Sequence, residues 1–136
     1  VLVVHPISPR DALEELREAR LGAERSEIVS NTELRRRQVA AIVEVARTST
    51  NPVLIAGDTN LPTHSRIYAA LLEGWQDGFS TVGRGFGYTF PVGRRFAWMR
   101  IDRILAKPPL RFLRFGVGES RGSDHYLVWA DVERSR

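Results

Sequence analysis

Cysteine is absent from the 136 residues. That absence removes disulfides, thiolate metal sites and a thiol nucleophile together. Lysine occurs once, at Lys107, so every other one of the 20 basic residues is Arg. No apolar run approaches the ~20 residues needed to cross a bilayer. No signal-peptide pattern opens the chain. It begins on "VLVVHP", a strand-like stretch from the first residue, with neither Met nor a polar lead-in. The expectation is a segment of a longer protein, with any targeting signal upstream.

What is present is 43% hydrophobic residues, enough to bury a modest core in one domain and too many for disorder. Net charge is +4. Arginine is the better bidentate partner for phosphate. Abundant Arg beside abundant Ala, Val and Gly also follows from coding bias, so composition alone leaves polyanion binding open.

The "VLVV" run predicts a buried strand ending at His5-Pro6. Asp11 to Arg20 suits a helix, with Leu13 and Leu16 inward and Gly22 as its end. A second helix is predicted from Ser30, where Ser30 and Glu33 have capping-box spacing. Its inward face is read as Leu34, Ala41, Ile42 and Val45. Arg35, Arg36 and Arg37 read as a solvated charge run. Asn51-Pro52 breaks this helix before the strand "VLIAG", which is expected to pair in parallel with "VLVV". A short helix follows in "HSRIYAALLEG", closed by Gly74. Six glycines between Gly74 and Gly93 suggest a long loop with short strands near "YTF". Three strands follow, in "MRIDRILAK", "RFLRFGVGES" and "YLVWADVE". The order describes an α/β domain.

Four predicted strand ends carry polar clusters: His5, Asp58 with Asn60, Asp102, and Asp124-His125. Asp58 and Asn60 are two apart, so an extended backbone points both to one side. Polar groups are costly to bury beside apolar strands, and α/β sites form where strand ends converge. Each cluster alone has a plain structural explanation as a turn, a cap or a core histidine. Together they point to a site.

These residues resemble the C-terminal half of the endonuclease/exonuclease/phosphatase superfamily. That group includes pancreatic-type deoxyribonucleases, abasic-site endonucleases, bacterial sphingomyelinases and inositol polyphosphate 5-phosphatases. The motifs are "VHP" at 4–6, "GDTN" at 57–60, "YTF" at 88–90, "RIDRIL" at 100–105 and "GSDHYLV" at 122–128. "GDTN" stands where "GDFN" is commoner, and "SDHYLV" where "SDHRPV" is usual. The resemblance implies half of a four-layer α/β sandwich, two stacked sheets flanked by helices, with residues 1–136 forming the C-terminal segment of one domain.

It also implies roles. His125 would contact the scissile phosphate and Asp102 would orient it. Asp58 would orient or deprotonate the attacking water. Asn60 would hold a phosphate oxygen or the nucleophile. His5 would bind phosphate or act as general acid. Asp124 would lie close to a divalent metal, Mg²⁺ or Mn²⁺. Tyr88 and Thr89 match a strand near the phosphate, though a buried Tyr–Thr pair is equally a structural feature. Trp98 beside Arg100 would stack a base or meet a lipid head group; core or rim packing is the plainer role.

The family's first half, with its principal metal-binding glutamate, has no counterpart here. Glu14, Glu15, Glu18, Glu44 and Glu133 all lack its context. The segment alone is therefore expected to bind metal poorly, to show little activity and to expose apolar surface. The missing half, or a second copy in a homodimer, would cover that surface. The leading expectation is a metal-dependent phosphodiesterase, with nucleic acid as the favoured phosphate ester. The alternatives are a phosphatase or sphingomyelinase-type lipid hydrolase, and a non-catalytic module that keeps the fold. Similar bacterial members leave two locations, the cytoplasm and a membrane reached through an upstream anchor.

Overall fold

The computed structural model describes residues 1–10, 24–93 and 96–135. In chain order the elements are β1 (Leu2–Val3), α1 (Glu24–Thr48), β2 (Leu54–Asp58), α2 (Arg66–Leu71), β3 (Gln76–Asp77), α3 (Gly78–Val82), β4 (Asp102–Ala106), β5 (Leu110–Val117) and β6 (Val128–Arg134). The helix expected over Asp11–Arg20, with Gly22, lies outside the described residues. No described helix is long and apolar enough to cross a membrane.

Four strands form one sheet in the order β1-β2-β4-β3. β1 and β2 are parallel, as the intervening helix requires. β2 and β4 are antiparallel, and their register sets Asp58 directly across from Asp102. Strand pairing thus brings two of the four polar clusters together. β5 and β6 form a separate antiparallel pair with an irregularity between Phe112 and Arg114. A single bridge joins Phe90 to Met99 and closes a loop between them.

The core is Val4, Val39, Ala46, Ile55, Leu61, Tyr68, Leu71, Trp75 and Leu105 with their neighbours. Along β4 the alternation turns Arg103 and Leu105 inward together, both essentially inaccessible. A guanidinium in a core needs counter-charge and acceptors. Asp77 supplies the charge at 2.7 Å, and the Leu61 and Arg100 carbonyls and the Thr63 hydroxyl accept from its Nη2.

Three local expectations change. α1 extends to Glu24, so Ser30 and Glu33 lie inside the helix and form no cap. Tertiary contacts outweigh the local cap there: the Asn31 amide donates to the Ser8 carbonyl at 3.2 Å. The buried face of α1 is also rotated by about one residue. Arg35, Val39 and Ala46 are buried, while Leu34 and Val45 are exposed. Finally, the glycine-rich stretch begins as β3 and α3 rather than loop. Asp77 caps α3 by accepting from Ser80 N–H at 3.2 Å. Gly78 is there for closeness: a Cβ would strike the Phe112 and Phe115 rings.

Apolar surface is open beside β1. β1 is an edge strand, with Val1 and Val3 both exposed. A groove of about 330 Å³ beside it is lined by Leu2, Val4, Ala41, Ile42 and Val45, among others.

Candidate active site

β2 ends on Asp58 because the next residues curl. Asn60 adopts φ 50°, a left-handed conformation that Asn tolerates better than most residues. Its N–H donates to Asp58 Oδ1 at 2.7 Å, and its side-chain amide donates to the Pro6 carbonyl at 3.0 Å. Thr59, fully buried, ties the same turn to β4 through the Ile101 carbonyl at 2.7 Å.

On the neighbouring strand, the Thr89 hydroxyl accepts from Ile101 and Asp102 N–H groups, each at 3.3 Å. Asp102 is thereby fixed beneath His125. Asp102 Oδ2 sits 2.8 Å from His125 Nδ1. With that nitrogen facing a carboxylate, Nε2 is left to face Asp58 Oδ2 and Asp124 Oδ1, each at 3.9 Å. His5 approaches Asp58 Oδ2 from the other side at 3.7 Å. Burial pushes the Asp58 carboxyl above its usual range, and neighbouring Asp102 adds to this against the Asn60 hydrogen bond and the two histidines.

These groups line a pocket of about 570 Å³. Its polar wall holds His5, Asp58, Asn60, Asp124 and His125, and its apolar wall holds Phe90, Trp98, Met99 and Ile101. Phe90 packs on the His125 ring at 4.7 Å. The Arg10 guanidinium lies over Phe90 at 5.3 Å.

The structure brings His5, Asp58, Asn60, Asp102, Asp124 and His125 together. It places three other candidates elsewhere. Arg100 turns away to pair with Asp77 at 2.7 Å and lies over Phe79. Asp77 is buried and already paired with Arg103, and Arg100 joins that ion pair rather than the pocket. Thr89 is fully buried with its hydroxyl spent on backbone. Tyr88 stacks on Phe86 at 5.5 Å and does not line the pocket. The sequence reading missed Arg35, which reaches the Asn60 carbonyl at 2.5 Å from inside the helix interface. Its spacing of four and eleven residues from Val39 and Ala46 is the signal that places it on the buried stripe.

Donor atoms of Asp58, Asp102 and His125 lie within 4.8 Å of one another among the described residues. One Asp102 oxygen is occupied by His125, whereas Asp124 is largely exposed. Carboxylate oxygens with room for water suit a hard divalent cation.

A mixed α/β unit with two sheets, gathering carboxylates and histidines at converging strand ends, defines the DNase-like class of fold. Residues 4–125 match the Endonuclease/Exonuclease/phosphatase family, and the chain belongs to that family. Among solved structures it is similar to an endonuclease/exonuclease/phosphatase from Bacteroides vulgatus, at 25% identity and a TM-score of 0.65 over 76% of this chain and 45% of that one. A mannosyl-6-phosphatase from Bacteroides thetaiotaomicron shares the fold at 21% identity and a TM-score of 0.61, over 74% of this chain and 46% of that one. A 3′ phosphatase from Neisseria, bound to a product DNA hairpin, shares it at 18% identity and 0.65, over 79% and 55%. The chain thus spans about half the length of these structures. Comparison with curated proteins finds no match.

Proposed function

We propose that the chain carries the acid–base half of a divalent-metal-dependent phosphoric ester hydrolase, acting on phosphodiesters and most suitably on nucleic acid. The observation that supports this is the line Asp102–His125–Asp58, with His5 beyond it; His125, Asp58 and His5 face one pocket and Asp102 backs His125.

Asp102 holds the Nδ1–H tautomer of His125. Nε2 is then free to hold a phosphate oxygen. Asp58, partly desolvated, accepts the proton of the attacking water. A raised carboxyl pKa suits that task better than an ordinary one. His5 faces the same carboxylate and is placed to bind phosphate or to protonate the departing oxygen. A bound Mg²⁺ or Mn²⁺, held by Asp124 with Asp58 in reach, would neutralise phosphate charge.

Nucleic acid is favoured by Trp98, 60% exposed on the pocket wall, and by Arg10 beside it. Aromatic stacking next to a cation suits a base and its phosphate. The free edge of β1 and its apolar groove are where we place the rest of the domain, which would supply a further metal-binding carboxylate. The chain alone would then hold metal weakly and turn over slowly.

The test is cleavage of plasmid DNA and bis-(p-nitrophenyl) phosphate with Mg²⁺ or Mn²⁺. It is run on the chain and on the longest polypeptide its gene encodes, each beside Asp58→Ala. Metal-dependent cleavage lost by about 10²-fold or more in the variant supports the reading. Cleavage of neither substrate by either wild-type form rejects it.

A further inference from the structure

Among the described residues α1 gives no side chain to the pocket, yet it touches two of the three backbone segments that build the polar wall. Three polar residues on one face make the contacts, at spacings of four and three: Asn31, Arg35 and Gln38. Asn31 donates to the Ser8 carbonyl at 3.2 Å. The Gln38 side-chain oxygen accepts the Ile7 N–H at 2.9 Å. Arg35 donates to the Asn60 carbonyl at 2.5 Å. The two held segments are also tied to each other, through the Asn60 amide and the Pro6 carbonyl at 3.0 Å.

We propose that this stripe is the positioning element of the site, with Arg35 and Gln38 its principal positioning residues. The inference rests on the reading of Asp58 and His5 as working groups. Asn60 is the pivot. Its left-handed φ of 50° is unfavourable for a residue with a Cβ and needs outside support. In this conformation its carbonyl meets Arg35 while its N–H meets Asp58 Oδ1. Arg35 therefore fixes the turn that aims Asp58. Gln38 fixes the start of the chain after Pro6 and so sets where His5 stands. The 3.7 Å separation of His5 and Asp58 is the product of both anchors.

The identity of residue 35 supports the same reading. It is 8% exposed, and burial lowers the pKa of its guanidinium. An apolar side chain on this packed stripe, beside Val39 and Ala46, would avoid that desolvation. What an apolar side chain lacks is a donor for the Asn60 carbonyl.

The first measurement is amide hydrogen exchange on the chain itself. In Arg35→Met the Asn60 amide should exchange about tenfold faster or more, while Ile55 within β2 changes by less than about threefold. In Gln38→Ala the Ile7 amide should respond and Asn60 should not. Arg35→Lys, which keeps a donor, should recover most of the Asn60 protection and serves if the Met variant does not fold. Uniform acceleration of all amides, or no change at Asn60, overturns the proposal.

The second measurement is hydrolysis of bis-(p-nitrophenyl) phosphate by the longest polypeptide of the gene. Arg35→Met should lower kcat by about tenfold to 10²-fold with KM within about threefold, and Arg35→Lys should restore part of it. Full kcat in the Met variant overturns the proposal. A wild type that cleaves nothing but shows the selective exchange pattern rejects the proposed function and leaves the clamp standing.

Discussion

At the scale of single residues, the site is defined by which hydrogen each group gives or takes. Asp102 accepts from His125 Nδ1, and that contact decides what Nε2 can do. Asp102→Asn keeps the volume but presents an NH₂ to the ring, which favours the opposite tautomer. The expected outcome is a kcat loss of about 10²-fold or more with the fold intact, read by ester hydrolysis beside circular dichroism. An Asn variant with full activity would show that the carboxylate is structural. His5, Asp58, Asp102 and His125 were legible in the sequence because each sits at or near a predicted strand end, where a polar group needs a reason. Arg100 and Arg35 were not. Both are arginines in charged surroundings, and which one faces inward depends on partners 23 and 25 residues away in the chain. Local pattern holds no record of such distant partners.

At the scale of elements, parallel pairing of β1 with β2 was readable from the helix between them, and the alternation in β4 from its period of two. The start of α1 was not, because Ser30 and Glu33 imitate a cap that the continuing helix overrides. The rotated face of α1 escaped for a related reason: an arginine occupies a position that hydrophobic patterning reserves for Leu. Within β2, Gly57 is the residue the pairing depends on. Its φ is 141°, outside the range that side chains favour, and a Cβ would overlap the Val4 carbonyl oxygen of the adjoining chain. Gly57→Ala is therefore expected to destabilise the protein by roughly 2 kcal/mol or more and to displace the β1 segment. Denaturant unfolding checks the first effect. Loss of protection at the Val4 amide, which donates to Ala56 at 2.9 Å, checks the second. A variant as stable as the parent would contradict the packing described.

At the scale of the whole molecule, one buried ionic group joins α2, β3 and β4. Tyr68, Arg100 and Arg103 all meet Asp77 Oδ2. Burial alone would raise the Asp77 pKa; the Tyr68 hydroxyl and the two guanidinium groups outweigh it and hold it below the usual carboxylate range. The unfolded chain therefore takes up the Asp77 proton at a higher pH than the folded chain does. The stabilisation is present above the unfolded value of about 3.9, and it is lost as pH falls through the lower folded value. Asp77→Asn should cost roughly 3–5 kcal/mol near neutrality, because two buried cations lose their partner. Its stability should also fall less steeply on acidification than that of the parent. Thermal unfolding across the acid range tests this, and parallel curves would refute it. The floor of the site rests on the same kind of internal bonding. Thr59 and Thr89 are inaccessible, and each is tied to Ile101, one residue before Asp102. The pocket's apolar wall, by contrast, carries Trp98 at the surface, and Phe86 and Phe96 are exposed in the same stretch of sequence. Reactive groups are anchored to a base that surface substitutions do not reach, and the rim is free to be rewritten. Under the proposed function, such a division of labour would let a lineage exchange one phosphate ester for another by altering the rim alone, without rebuilding the groups beneath it.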